Sequence, residues 1–196
     1  MLAGPGLPEA IETAVASGVD WVQVRERALD GGDLLLFAKQ VAEAAQRGAA
    51  RAGRAVRILV NRRVDVALAL GADGVHLGYD AMDVVTARRL LGDDALVGVS
   101  AHSAAEVRGA TGASYAHLAP IFAPISKAAS RPPLGVDAIA EAARGAVPVI
   151  AQGGIDPAAA AAVLAAGAAG VAVTGSVLMA DDVAAATRAL RRELGS

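Results

Sequence analysis

One short motif occurs four times in the chain and constrains its fold more than any other feature. Each copy is a glycine, then small or acidic residues, then an apolar run, and each follows an alanine-rich helical stretch. The copies begin at Gly18, Gly71, Gly112 and Gly167. A glycine in this position favours a left-handed C-terminal helix cap before the chain enters the next strand. Repetition of helix, glycine and buried strand therefore predicts βα units and a parallel sheet.

The apolar runs predict seven strands with helices between them. The strands are predicted at Trp21–Arg25, Val56–Val60, Gly74–Leu77, Ala95–Val99, Tyr115–Ala119, Val147–Ile150 and Val171–Val173. The helices are predicted at Pro8–Ser17, Asp33–Ala52, Val64–Leu70, Val84–Leu91, Ala104–Ala110, Val136–Arg144, Pro157–Ala166 and Asp182–Leu194. Because the chain begins with a helix, the strand expected before it in an eight-stranded barrel is lacking or shortened. We predict an α/β fold, a TIM (β/α)8-type parallel barrel with that deficit, as a single domain over residues 1–196.

Charge and composition exclude several classes of function. The formal net charge is −2 and the arginines are dispersed, so we expect no binding to DNA or RNA. The chain has no cysteine, which excludes disulfides and thiol catalysis and agrees with a cytoplasmic location. The apolar stretch Asp156–Val173 is rich in alanine and begins with an Asp-Pro helix signal, so it predicts a buried helix and strand rather than a membrane span. Met1–Pro8 has neither the basic region nor the apolar core of a signal peptide.

Glycine loops follow the last two predicted strands. Gly153-Gly154 comes after the first of them, and Thr174-Gly175-Ser176 comes after the second. Such loops leave backbone N–H groups free, and a following helix N-terminus adds about half a positive charge. Because a (β/α)8 barrel places its phosphate site at this point, the loops predict a small phosphorylated ligand.

Polar residues also follow the earlier strands. The period of two places Gln23, Arg25 and Arg27 on one side of the first strand end. Guanidinium groups there suit the oxygens of a diphosphate, although an exposed charged strand end is an equal alternative. Lys127 lies in a proline-rich loop long enough to act as a lid, where it is either a phosphate clamp or a solvated lysine.

The histidines have different expected roles. His117 is predicted to be structural, and counting the alternation back from Pro120 predicts that it faces the helices if Pro120 faces the barrel. His76 ends its strand and belongs either to the core or to a site, whereas His102 lies at a loop tip and is the best acid–base candidate. Ser103 is predicted to cap the next helix. The chain has no His-x-x-x-His, paired-carboxylate or nucleophile-elbow pattern, so classical hydrolase chemistry has no support.

In their order and spacing, the motifs resemble the thiamine phosphate synthase/TenI family. They run from Val22 to Arg27, Asn61 to Leu68, Gly71 to Gly78, Gly98 to Ser103, Pro120 to Lys127 and Gly153 to Ile155. The resemblance spans nearly the whole chain and implies the (β/α)8 fold and a place in thiamin biosynthesis. In the synthase reaction a pyrimidine diphosphate ionises, pyrophosphate leaves with the help of Mg²⁺, and a thiazole phosphate nitrogen attacks the carbocation.

The resemblance also implies roles for matching positions. The pyrimidine diphosphate would be held by Gln23, Arg25 and Arg27. Asn61, Ser100 and Lys127 would contact the pyrimidine or pyrophosphate. Arg62, whose charge could attract phosphate directly, and Ser126 are two further candidate substrate-binding residues that depart from the family pattern. Those assigned to the thiazole phosphate are Gly153, Gly154, Thr174, Gly175 and Ser176. The catalytic candidates are Arg25, Lys127 and His102.

Several positions depart from the family pattern. Arg62 and Ala81 stand where the family has its two aspartate metal ligands, so Asp80 is the remaining candidate ligand for Mg²⁺. A lysine is usual at position 27, and threonines are usual where this chain has Pro124 and Ser126.

These departures leave three readings of the function. A synthase comes first, because the anion-binding residues persist. A metal-free thiazole tautomerase of the TenI type comes second, although its histidine aligns with Pro120, so that His102 would have to replace it. The third is a non-catalytic phosphate-binding or regulatory protein. The expected partners are small phosphorylated molecules, with no nucleic acid and no membrane, and a homodimer is left open.

Overall fold

The computed structural model describes residues 6–123 and 131–195, which form one parallel sheet flanked by helices. The sheet has seven strands in the order β1-β2-β3-β4-β5-β6-β7, and every neighbouring pair is parallel. The strands are β1 Trp21–Val24, β2 Arg57–Asn61, β3 Gly74–Leu77, β4 Leu96–Ala101, β5 Tyr115–Leu118, β6 Val149–Gln152 and β7 Gly170–Ala172. Sequential order with helical crossovers is the topology of a (β/α)8-type barrel, so the predicted fold class is confirmed.

The helices alternate with the strands along the chain. They are α1 Leu7–Ala16, α2 Gly31–Ala52, α3 Val64–Leu70, α4 Val84–Leu91, α5 Ala104–Gly109, α6 Gly135–Ala142, α7 Pro157–Ala165, α8 Gly175–Leu178 and α9 Val183–Glu193. Every predicted strand and helix is present, with ends shifted by at most two residues. The four-residue α8 was not predicted as a separate element, because one turn is too short to show a helical period.

The motif glycines have the positive φ of the predicted left-handed caps, and Gly71 is itself the C-cap of α3, whereas Gly18, Gly112 and Gly167 lie one or two residues beyond the C-caps of their helices. Gly18, Gly71, Gly112 and Gly167 have φ of +131°, +68°, +82° and +99°. This region of φ is open to glycine and costly for residues with a Cβ. Each glycine therefore lets the chain leave a helix and turn into the next strand.

The two faces of the sheet have different surroundings. On the outer face, Val60, Val75 and Val97 are fully buried in a cluster with residues of α1 to α4, and a second cluster continues under α5 to α7. On the inner face, the rings of Trp21 in β1 and Tyr115 in β5 lie 5.2 Å apart although three strands separate them. The sheet is therefore curved strongly enough to enclose its inner side chains.

The barrel is open at one seam. β1 pairs with β2, β7 pairs with β6, and the two edge strands do not pair with each other in the described part of the chain. α1 packs against α2 and α9 beside this seam. The stretch 156–173 forms α7 and β7, as predicted, and no described helix is both long and apolar enough to cross a membrane.

Candidate functional site

Two paired amides mark the inner side of the barrel at the ends of β1 and β2. Gln23 Nε2 donates to Asn61 Oδ1 at 3.1 Å. This bond fixes the planes of both side-chain amides. The Gln23 Oε1 oxygen and the Asn61 Nδ2 group remain available to a ligand. The register pairs Val24 with Val60, so Arg25 continues beside Asn61 at the same end of the barrel.

Arg62, the next residue, has an unusual backbone. Its φ is +66°, and it is the one non-glycine residue with positive φ in residues 6–123 and 131–195. Its N–H donates to the His76 carbonyl at 2.9 Å, and its guanidinium pairs with Asp80 at 2.9 Å between Nη1 and Oδ2. The left-handed conformation costs about 1–2 kcal/mol for such a residue. A side chain held at that cost is typical of a functional constraint.

Arg25 and Arg27 bring further positive charge to this end of the barrel. Neither has a carboxylate within 4.0 Å among the residues that the structure describes. Burial lowers the pKa of Arg25. The charge of Arg27, and to a smaller extent that of Arg62, lowers the Arg25 pKa further by repulsion, whereas the charge of Glu26 raises it. All three guanidinium groups remain charged. Their excess positive charge suits a polyanion.

A buried hydrogen-bond network lies beneath these groups. His76 Nδ1 is 3.1 Å from the Tyr115 hydroxyl, and His76 Nε2 is 3.0 Å from Ser100 Oγ. The Tyr115 hydroxyl has no other partner within the described ranges, so its proton is satisfied only if it donates to Nδ1. We therefore assign the neutral tautomer with the proton on Nε2, which donates to Ser100. The Ser100 proton is then left to donate to a ligand.

His117 belongs to the same interior and not to the helix side. Its ring lies 4.2 Å from that of His76, and it is 7% exposed. The prediction that it faces the helices is wrong, because the alternation was counted from Pro120, beyond the end of β5 at Leu118. Burial, with the nearby charges of His117 and Arg25, lowers the pKa of His76 to about 3. Burial lowers the pKa of His117 to about 4, although the hydrogen bond that His117 donates to the Gln152 side chain raises it.

This neutral pair makes stability depend on pH. Below about pH 6.5 the unfolded chain takes up protons on His76 and His117, whereas the folded chain does not until about pH 4 and below. The free energy of unfolding therefore has its full value above about pH 6.5 and decreases as the pH falls below it. We expect a loss of about 2 kcal/mol for each histidine between pH 7 and pH 5. Urea unfolding at both pH values tests this, and His117→Asn should remove about half of the loss; an unchanged midpoint in the parent chain would contradict it.

His102 lies in a separate small cavity beside the β5 end. Its Nδ1 donates to the Ala119 carbonyl at 2.7 Å, which leaves the Nε2 lone pair free to accept a proton. The cavity has a volume of about 150 Å³ and is also lined by Pro120 and Arg131. The predicted cap by Ser103 is confirmed, because its Oγ accepts from the Glu106 N–H at 3.1 Å.

The glycine loops form close backbone approaches. Gly153 has a φ of +97°, and a Cβ there would lie 2.9 Å from Pro120 Cα; at Gly154, with φ of +63°, a Cβ would collide with the Ala123 carbonyl. The N–H groups of Gly153, Gly154, Gly175 and Ser176 have no acceptor in residues 6–123 and 131–195. Both loops thus present donors at the end of the barrel that holds the arginines.

Comparison with known proteins gives the chain its family. Residues 3–177 match the model of a family described as thiamine monophosphate synthase. The chain belongs to this family. It is 43% identical over 184 residues to the thiamine-phosphate synthase of Chloroflexus aurantiacus, covering 92% of this chain and 82% of that one.

Two other relatives agree with this membership. The thiamine biosynthesis bifunctional protein ThiM/ThiE of Symbiobacterium thermophilum is 41% identical over 197 residues, and the match covers 99% of this chain but 40% of that protein. The solved thiamine phosphate pyrophosphorylase of Pyrococcus furiosus superposes with a TM-score of 0.83 at 27% identity, covering 99% of this chain and 91% of the other. The resemblance seen in the sequence motifs is therefore confirmed.

Thiamine-phosphate synthases use Mg²⁺, but the residues present here do not fit it. The Asp80 carboxylate is paired with Arg62, and the described residues contain no group of three or more histidine or acidic side chains able to hold a metal. Mg²⁺ is bound through carboxylates and other oxygen ligands. A fixed guanidinium in its place repels a divalent cation.

Among the predicted site residues, the structure brings Gln23, Arg25, Asn61, Arg62 and Ser100 to one end of the barrel interior. Lys127 and Ser126 lie outside the described residues. Sequence reasoning missed Tyr115 as the residue that orients His76. A signal for it exists at Gly98, since a glycine inside a strand marks a close approach by a neighbour, and a Cβ there would meet the Tyr115 ring.

Proposed function

We propose that this chain is a thiamine-phosphate synthase that joins a hydroxymethylpyrimidine diphosphate to a thiazole phosphate. The observation that carries the proposal is the convergence of Arg25 and Arg62 beside the Gln23–Asn61 amide pair, in a member of a synthase family. Positive charge and fixed amides at one barrel end match a substrate that has a diphosphate at one end and a heterocycle at the other.

The proposed reaction breaks one bond and forms another. The bond between the pyrimidine methylene carbon and the diphosphate oxygen breaks, and its electron pair leaves with pyrophosphate. The thiazole ring nitrogen then gives its lone pair to that carbon, forming a C–N bond. The guanidinium groups stabilise the charge that develops on the leaving oxygen, and electrostatic stabilisation of this kind is usually the largest contribution to catalysis.

The remaining roles follow the same division. Arg27 adds charge at the diphosphate, and the Ser100 hydroxyl, oriented by His76, donates to the pyrimidine. Lys127 and Ser126 are proposed to contact the diphosphate. The residues proposed to hold the thiazole phosphate are Gly153, Gly154, Thr174, Gly175 and Ser176. The cytoplasmic location, the single domain and the homodimer stay predictions.

The purified protein, mixed with both substrates, tests this proposal. We expect thiamine phosphate, identified by mass spectrometry, at a rate well above that of the substrates alone. Absence of product, both with Mg²⁺ and with EDTA, would contradict the synthase. Thermal stabilisation by thiazole phosphate without turnover would instead support a non-catalytic binding protein.

A thiazole tautomerase is the second candidate function. The observation that favours it is the orientation of the His102 ring. Its Nδ1 is committed to the Ala119 carbonyl, so Nε2 is held as a proton acceptor in a cavity that also contains Arg131. A base beside a cation suits proton transfer next to a carboxylate.

The tautomerase candidate predicts isomerisation of a thiazole carboxylate phosphate in EDTA. His102→Ala should lower that rate by about 10²–10⁴-fold, because general base catalysis contributes this much. Proton NMR of the substrate follows the reaction. Equal rates in both proteins would exclude His102 as the base.

A further inference from the structure

Three arginines lie at the barrel mouth, the end of the barrel at which β1 and β2 end, and they suit direct binding of a diphosphate. We propose that Arg25, Arg27 and Arg62, named here the guanidinium site, bind a diphosphate directly and without a divalent cation. The identity of the diphosphate as a substrate rests on the proposed function, whereas its binding does not.

The charge balance of the guanidinium site supports this inference. Its three cations face two carboxylates, Asp80, which is paired with Arg62, and Glu26, which accepts from the Ala28 N–H and acts on Arg25 without a direct ion pair, so one positive charge is in excess. A divalent cation placed there would be repelled by the arginines. A diphosphate would be attracted by the same charges, and each guanidinium can donate two parallel hydrogen bonds to phosphate oxygens.

The geometry of Arg62 shows that its guanidinium is positioned in advance. The backbone is fixed at φ +66° by the N–H bond to the His76 carbonyl, and the side-chain carbons pack over Gly78, where an added Cβ would lie 3.6 Å from Cγ and Cδ. Asp80 is 67% exposed, so its ion pair orients the guanidinium without burying it. Little conformational freedom is then lost when an anion binds.

Arg63 offers a matched comparison. It follows Arg62 directly, but its guanidinium is committed to Asp65, with Nε donating to Oδ1 at 2.8 Å, and to Asp30. The same loss of charge can therefore be made at two adjacent positions, only one of which belongs to the guanidinium site.

Inorganic pyrophosphate is the probe for calorimetric titration of the full chain. We expect binding in EDTA, and excess Mg²⁺ should weaken the apparent affinity by about tenfold, because Mg²⁺ binds pyrophosphate in solution and lowers its free concentration. A site that needs metal gives the opposite sign, with no binding in EDTA and tight binding with Mg²⁺. That result would overturn the inference.

Variants locate the binding. Arg62→Gln should weaken pyrophosphate binding in EDTA by about 10- to 100-fold, the effect of losing a charged hydrogen bond, and Arg63→Gln should change it by less than about threefold. Arg62→Gly removes the guanidinium and relieves the backbone, so it should bind as weakly as Arg62→Gln while melting no lower than the parent. Equal affinities in the Arg62 and Arg63 variants would overturn the inference.

The inference and the proposed function fail in different ways. Pyrophosphate binding in EDTA without formation of thiamine phosphate would uphold the guanidinium site and reject the synthase. Thiamine phosphate formed with Mg²⁺, with no pyrophosphate binding in EDTA, would uphold the synthase and reject the metal-free site.

Discussion

Replacing Arg25 with glutamine is expected to lower kcat for thiamine phosphate formation by about 10²–10³-fold, the usual cost of removing one donor to a developing charge. Arg25 lies at the end of β1 beside the Gln23–Asn61 pair and has no described carboxylate partner, so its charge is free to act on the leaving group. Because the leaving oxygen gains charge in the transition state, kcat should fall more than substrate affinity. Initial rates over a range of pyrimidine diphosphate concentrations separate the two quantities.

Arg47→Gln is the control for this prediction. Arg47 lies on α2, pairs with Glu12 at 2.8 Å and is 54% exposed, so the same change of charge is made away from the barrel mouth. We expect kcat to change by less than about twofold there. An Arg25 variant that keeps its full kcat would remove the proposed role of this guanidinium.

Gly98→Ala is expected to destabilise the fold by about 3–5 kcal/mol, combining overpacking with the loss of a buried hydrogen bond. Gly98 in β4 lies opposite Tyr115 in β5, and an added Cβ would fall 2.5 Å from Cε1 of the ring and closer still to Cζ and the hydroxyl oxygen. Tyr115 is 1% exposed, so the ring cannot move away without breaking its bond to His76. Urea unfolding at pH 7 measures the change.

Two further variants separate this collision from a general effect of losing a glycine. Gly32→Ala, in the first turn of α2, has no atom within 4 Å of the new Cβ and should stabilise the chain by up to about 1 kcal/mol. In a Tyr115→Val background the Gly98→Ala change should cost far less, because the ring is gone. A cost at Gly98 that is equally large in both backgrounds would show that the ring is not its cause.

Much of the fold can be predicted from the sequence because its signals are local. Each motif glycine has a positive φ in the short connection between a helix and the next strand, and the apolar run after it becomes a strand when its outer face is buried. The short α8 and the face of His117 were not predicted correctly, because one helical turn has no period and alternation fails beyond a strand end.

The sequence predicts which side chains of the site lie together only where they belong to the same strand. The period of two placed Gln23 and Arg25 together on β1, and the structure joins Gln23 to Asn61. The network through His76 and Tyr115 depends on the register and curvature of three strands, which no local pattern contains. The positive φ of Arg62 could not be foreseen, since arginine has no preference for it.

Thiamine phosphate and pyrophosphate, measured together in one reaction, test the proposed activity most directly. The protein is incubated with the pyrimidine diphosphate and the thiazole phosphate, and both products are quantified over time with the Arg25→Gln variant in parallel. We predict that they form in equal amounts and that both rates fall together in the variant. Pyrophosphate released without thiamine phosphate, or no product at all, would contradict a synthase.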